Sequence, residues 1–364
     1  SSDLFDQSQN ESAKRGLKLT YARDLPELWD LGLVTGLDYL EDETRQVLVQ
    51  TDRVWVPETT YAGLSPYLQL EKALGDWVFS GGVRYEDAEL EVDDFTTLEA
   101  YGSQAVSGGN PGFQEWLFNL GMTWEARPGL HAFASYSQGF GMPDVGRVLR
   151  GIDEPGLDVD DFLDLQPVVT DNFEIGLRRA SDQWSGTLSL FYSTSDLGSR
   201  LSADADGIFS VNREKTATYG LEGTALYRLD RQHRLELRFA AVEGKSDRDG
   251  DGDLDTRLDG SNIPPIRLNL GWNADWTGQL STRLQSSTYF DRGDPRNVAA
   301  NDFNGYTLLD LLVRLRLPRG ELLAGISNLL DRQYLTYYSQ TNPSPGRTFA
   351  GRGRTLNLRY KVEF

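Results

Sequence analysis

Five carboxylates alternate through Asp247–Asp255 (DRDGDGDLD): Asp247, Asp249, Asp251, Asp253 and Asp255. Asp247, Asp249, Asp251, Gly252 and Asp253 follow the oxygen-ligand spacing of a calcium loop, with the glycine permitting the sharp turn that lets successive carboxylates converge on a hard cation. The twelfth position is Leu258 rather than Glu, with Asp259 one place late, so the stretch is not a standard EF-hand. A solvated acidic loop is the plainer reading of the same residues. Other reactive chemistry is scarce. The 364 residues contain no Cys and only two His, His131 and His233, which removes thiolate metal sites and Cys nucleophiles and leaves little for a Ser-His-Asp centre or a multi-His zinc site. Neither His has a Ser or Asp partner by spacing, and both fall beside short connections. With 36 Lys+Arg against 55 Asp+Glu the net charge is −19, which argues against nucleic acid as a partner.

The elements that carry these residues alternate with period two. In Gln114–Ala126 one face reads Trp116, Phe118, Leu120, Met122, Trp124. Trp184–Ser193, Ala217–Leu229, Ile266–Trp276 and the closing Leu356–Phe364 repeat the pattern. Fifteen strands are expected: 12–23, 31–46, 59–72, 77–93, 113–126, 130–140, 168–180, 184–200, 209–229, 233–245, 264–276, 279–291, 304–317, 320–335 and 350–364. Short connections alternate with long ones at 47–58, 94–112, 141–167, 201–208, 246–263, 292–303 and 336–349. No helix-period segment competes, and no apolar run reaches the roughly 18 residues of a membrane helix.

Hydrophobic residues are 39% and aromatic residues 11%, low and high respectively for a protein with a large dry core. One greasy and one polar face on up-and-down strands, with short turns at one end and long loops at the other, predicts an all-β, antiparallel transmembrane barrel. Trp29, Trp77, Trp124, Trp184 and Trp276 sit beside the short turns and form the expected interfacial girdle. Arg178, Glu174, Glu222, Arg228, Arg238, Arg267, Arg283, Arg314, Arg359 and Lys361 fall on the polar, lumenal face, where they set pore selectivity, meet a plug, or pair across strands. The start SSDLFDQSQNES is polar, so a leader is either cleaved or belongs to a longer protein. Single-chain bacterial barrels have even strand numbers, so fifteen reads as the C-terminal portion of a larger barrel.

Gly325–Tyr334 (GISNLLDRQY), Tyr136–Val145 (YSQGFGMPDV), Asp171–Leu177 (DNFEIGL), Tyr219–Gly223 (YGLEG) and the terminal Phe364 resemble segments of the TonB-dependent outer-membrane receptors, over nearly the whole chain. Leu330 stands where that family usually has Phe, and Ile175–Gly176 where it has Leu-Gly. SGGVRYE, SQGFGMPDVGR, FYSTSD and GRGRT look like segments of its ferric aerobactin receptor group. The resemblance implies that residues 1–364 are the C-terminal portion of a 22-stranded barrel whose plug domain and energy-coupling box are absent here. It implies a bacterial outer-membrane receptor for a ferric siderophore of the hydroxamate–citrate type, energised through TonB, in contact with lipid and lipopolysaccharide. No cofactor is required, calcium in the 247–255 loop apart, and iron enters only as the chelate. The alternatives are a general diffusion porin and an outer-membrane barrel enzyme.

Under that resemblance the ligand is captured at the long-loop end, where Arg neutralises an anionic chelate and Tyr or Trp packs on it. Trp55, Tyr101, Arg147, Arg150, Tyr337, Tyr338 and Arg347 are the candidates; each could equally be loop packing.

Overall fold

The computed structural model describes residues 6–28, 30–161, 165–203, 209–295, 301–341 and 348–362. Fifteen strands form one antiparallel meander in which each pairs with its neighbours in the chain. They are β1 (Ser8–Leu25), β2 (Leu31–Leu48), β3 (Arg53–Leu74), β4 (Trp77–Val92), β5 (Gly112–Arg127), β6 (Leu130–Gly141), β7 (Val168–Ala180), β8 (Trp184–Ala203), β9 (Phe209–Arg228), β10 (His233–Ser246), β11 (Arg267–Asp275), β12 (Leu280–Tyr289), β13 (Tyr306–Leu317), β14 (Gly320–Ser327) and β15 (Thr355–Lys361). The order runs from β1 to β15, with no closing pair between those two among the described residues. Two-residue strands decorate the loops: Thr256–Arg257 on β10, and Phe95–Thr96 against Ala105–Val106.

Alternation decides which face is which. Trp116, Leu120, Leu190, Tyr219 and Leu358 are all exposed, Leu358 at 75%, and share one face with the other bulky apolar side chains of the wall. A face so apolar and so open is built for hydrocarbon, where the sheet's backbone groups must be paired internally. The opposite face is polar and cross-linked. Arg84 bonds Asp38 at 2.8 Å and also pairs with Glu86. Arg283 reaches both oxygens of Glu236, at 3.1 and 2.9 Å, and Asn273 at 3.0 Å. For Arg283, and for Arg314 at 3.6 Å from Glu321, the ion-pair role expected of the inner face is what the geometry shows.

At the short-turn end Trp77 stacks on Trp124 at 5.5 Å, and His233 sits between Trp272 and Trp276 at 5.8 and 5.3 Å. Asp230 accepts the amides of Gln232 and His233 at 2.7 Å each, and these bonds, that of Gln232 foremost, hold its carboxyl below the usual range. Trp29 and Phe364 lie outside the described residues.

Three regions depart most from expectation. Residues 47–58 are not a long loop: β2 and β3 continue to Leu48 and Arg53 around a tight turn, with register shifts near Gln46. The alternation there is broken by that bulge, so the strand pattern is hidden. β14 ends at Ser327, because Asn328 and Asp331 take positive φ and turn the chain, and β15 begins only at Thr355. Finally, two short helices, α1 (Val145–Arg150) and α2 (Tyr337–Thr341), stand in long connections, too brief to register as a helical period.

Candidate functional site

The long connections fold onto the ends of the strands rather than standing free. Asp144 opens α1 as its N-cap, accepting the Arg147 amide at 3.1 Å. The helix buries Val148 and Leu149 in a cluster with Leu90 and Val92 of β4, Val106, Phe113, Ile152, Val159 and Leu165. Ser107 and Val159 tie the two loops together through backbone bonds of 3.1 Å, Ser107 N–H to Leu157 and Val159 N–H to Ser107. This small core fixes where α1 projects its arginines.

Arg150 projects onto Trp55. Its Cζ lies 4.8 Å from the Trp55 ring centre, within range of a cation–π contact. Trp55 stands on β3, not in a loop, and its indole N–H is buried without a partner among the described residues. Arg147 points elsewhere: its Nε pairs with the Asp144 carboxylate at 3.3 Å, so it serves the cap of its own helix. Tyr101 ends a single 3-10 turn, Glu99–Tyr101, closed by Gly102 at φ 89°. A cleft of about 630 Å³ opens between the β2–β3 tip and this loop, lined by Arg45, Arg53, Asp93, Asp94 and Glu99, with Arg45 paired to Glu11 and Glu58 and Arg53 to Asp6.

Tyr337 and Tyr338 belong to a second group, on the other loops. The Tyr337 hydroxyl donates to the Ile263 carbonyl at 2.5 Å, and its ring meets Phe303 edge-on at 4.8 Å. Burial pushes its pKa up to about 12. Tyr337 is thus a structural clamp between α2 and the acidic loop. Tyr338 beside it is half exposed. Arg347 lies outside the described residues.

An inward row that the candidate list missed runs beneath this group. Arg267, Tyr289 and Tyr306 are successive cross-strand partners on β11, β12 and β13. Arg267 Cζ lies 5.2 Å from the Tyr289 ring, Tyr289 4.9 Å from Tyr306, and Tyr306 4.4 Å from Tyr334. The signal was available: both tyrosines fall on the polar alternation of their strands, where an aromatic is out of place, and both flank the same long connection. Arg292 roofs the row, bonding Glu243 at 2.9 Å and the Leu258 carbonyl at 3.2 Å.

In the acidic loop Asp247 is nearly buried and accepts three backbone amides, from Gly250 and Gly252 at 2.8 Å and Asp251 at 3.1 Å. Carboxylate oxygens of Asp247, Asp249 and Asp251 lie within 4.8 Å of one another. Asp253 and Asp255 are not in that group; Asp255 accepts the Thr256 hydroxyl at 3.0 Å.

The comparisons with known proteins agree with this architecture. A family model described as TonB dependent receptor-like, beta-barrel, matches residues 2–329. The ferric aerobactin receptor of Klebsiella pneumoniae is 28% identical over 99% of this chain and 54% of its own length, and that of Escherichia coli is 27% identical with the same coverage. The chain therefore spans about half the length of the curated relatives it matches. Among solved structures, the copper transporter OprC superposes with a TM-score of 0.74 at 18% identity, over 96% of this chain and 56% of that one. The ferric citrate transporter FecA in its unliganded form gives 0.71 at 17%, over 98% and 55%. These structural likenesses establish the fold. Since the family's barrel model covers most of its length, the chain belongs to the TonB-dependent receptors, transporters rather than enzymes, whose barrels sit in the bacterial outer membrane.

Proposed function

We propose that the receptor to which this wall belongs binds a ferric siderophore of the hydroxamate–citrate type at the long-loop end and passes it inward with energy supplied through TonB. Residues 1–364 act in this as one barrel domain. The observation that carries the reading is Arg150 held over Trp55, a cation and a large aromatic presented together by α1 and β3. An anionic iron chelate with citrate carboxylates and planar hydroxamate units can use both, the cation for charge and the ring for packing. The Arg267–Tyr289–Tyr306 row repeats the combination deeper in the wall. The relatives matched across the chain are named as ferric aerobactin receptors, and a rhizobactin receptor of Rhizobium meliloti is 27% identical over 76% of it. A diffusion porin has no use for such pairs. Copper as cargo is poorly served by this chain, which offers no Cys and only two Met; both His lie at the short-turn end. The acidic loop is proposed to take calcium, which at external concentrations would brace the loop clamped by Tyr337.

The test is a titration of the purified receptor with ferric hydroxamate–citrate, ferric catecholate and ferric citrate chelates, followed by tryptophan fluorescence. Tight, saturable binding of the first class is expected. Binding of none of them would overturn the proposal.

A further inference from the structure

The outer face of β6 dips in its middle: between the bulky Leu130 and Tyr136 stand two alanines. Where neighbouring strands put Leu, Ile or Trp toward hydrocarbon, β6 puts Ala132 and Ala134, and turns its bulky Phe133 inward. The arrangement is built in on both sides: Phe133 covers Gly176, where an added Cβ would lie 2.4 Å from its ring. Met122 and Trp124 on β5 pair with Ala134 and Ala132, and Ile175 and Leu177 on β7 pair with the same two alanines. The large side chains stand up on either side of a floor of methyl groups. The trough so formed has a volume of about 460 Å³ and an almost wholly apolar lining.

Its short-turn end is cationic. Arg179 follows Ile175 and Leu177 on the outward face, and a bulge between Glu125 and Arg127 brings Arg127 opposite Leu130 as well, the two arginine backbones lying two strand spacings, roughly 10 Å, apart. One arm of Arg179 donates to the Pro128 carbonyl at 3.2 Å, so this bond engages one of its five N–H donors. Glu125 pairs with His131 on the other face and accepts the Gly129 amide at 3.2 Å. The stacked Trp77 and Trp124 border the trough at the level where aromatic side chains mark the membrane interface. Short turns of such barrels face the periplasm.

We propose that this trough binds one anionic glycerophospholipid of the periplasmic leaflet, with an acyl chain along Ala132 and Ala134 and the phosphate held by Arg127 and Arg179. Guanidinium groups suit phosphate because their donors are planar and paired. A Leu at either alanine would fill the groove with protein; two alanines leave it for lipid.

The test uses the receptor purified from outer membranes, stripped of lipid in detergent and mixed with equal amounts of dioleoyl phosphatidylglycerol and phosphatidylcholine, with bound lipid counted by native mass spectrometry. One phosphatidylglycerol per receptor is expected, preferred by roughly thirtyfold, the combined effect of two interfacial cations on an anionic headgroup. R127Q/R179Q is expected to lose the preference, and R127K/R179K to keep most of it, which separates charge from folding. A132L/A134L is expected to lose the lipid with both arginines in place. Equal retention of the two lipids by the unaltered receptor would overturn the proposal. So would retention by the Leu-filled variant, or displacement of the lipid by millimolar inorganic phosphate, which would mark an anion site without a chain groove.

Discussion

Arg150 reaches 4.8 Å from the ring of Trp55 although the two residues lie 95 positions apart, one on a short helix and one on a strand extension. Leu149, next in sequence, is fully buried in the loop core and sets the angle at which Arg150 leaves the helix. Replacing Arg150 with Ala should therefore weaken ferric chelate binding by about 1–2 kcal/mol, roughly five- to thirtyfold. Arg147→Ala should cost less affinity, because that side chain already serves Asp144. A titration in which the two variants bind alike, or like the parent, removes the Arg150–Trp55 pair from the site.

The Tyr337 hydroxyl donates to Ile263, and its pKa is raised from 10.0 to about 12. A group whose folded pKa is raised favours the folded state while protonated. The clamp is thus fully present below pH 10 and is lost as pH rises from 10 through about 12. Absorbance titration at the tyrosinate band should show one fewer late-titrating tyrosine in Tyr337→Phe than in the parent. The same substitution should loosen the 246–263 connection by about 1 kcal/mol, the worth of one hydrogen bond, read as faster limited proteolysis there. Cleavage at the parent rate would show that the bond does not hold the loop.

These two residues also mark how far the sequence could be read. Strand alternation exposes the wall directly, because lipid on one side and water on the other constrain every second residue. The long connections obey no such rule. Tyr337 and Arg150 look alike as loop residues, yet one is absorbed into packing and the other is presented, and only the burial of Leu149 and Phe303 separates them. Trp55 was legible as a candidate but not as a strand residue, because the register shift near Gln46 breaks the period just where β3 begins. Alternation alone puts Tyr289 and Tyr306 on the polar face, but that they stand opposite each other and Arg267 follows from the register, which sequence spacing does not supply.

Calcium is expected to bind the acidic loop weakly, with a dissociation constant on the order of 10⁻⁴–10⁻³ M, typical of external modules. Asp247 already shapes the turn through three amides and Asp251 accepts the Asp253 amide through Oδ1 at 2.9 Å, so Asp249 and the second oxygen of Asp251 are what a coordination shell would draw on. D249N/D251N should abolish the heat of calcium binding in calorimetry while leaving chelate affinity intact. A calcium-binding signal that survives the double substitution places the ion elsewhere.

Gly351 is the one residue that lets Tyr334 reach the tyrosine row, since an added Cβ would sit 1.9 Å from the ring. Gly351→Ala must displace either the β14–β15 connection or Tyr334 itself. If the row takes part in binding, the variant should bind chelate less tightly with the wall's thermal stability nearly unchanged. Unaltered affinity with a displaced Tyr334 would leave Arg150 and Trp55 as the capture point.

Leu120 and Ser135 test the orientation of the whole wall, because they lie on adjacent strands, β5 and β6, but face opposite ways. Leu120 is 64% exposed on the apolar side, while Ser135 pairs with Glu174 on the polar side. Arginine at position 120 would have to enter hydrocarbon and should destabilise the receptor by about 2–4 kcal/mol if it lies near the bilayer midplane. Arginine at position 135 enters a wet face opposite a carboxylate and should cost little. Urea unfolding of both variants in lipid vesicles reads the difference directly. Equal costs would mean that both faces meet the same medium, and a wall with two equivalent faces is not the side of a transmembrane barrel.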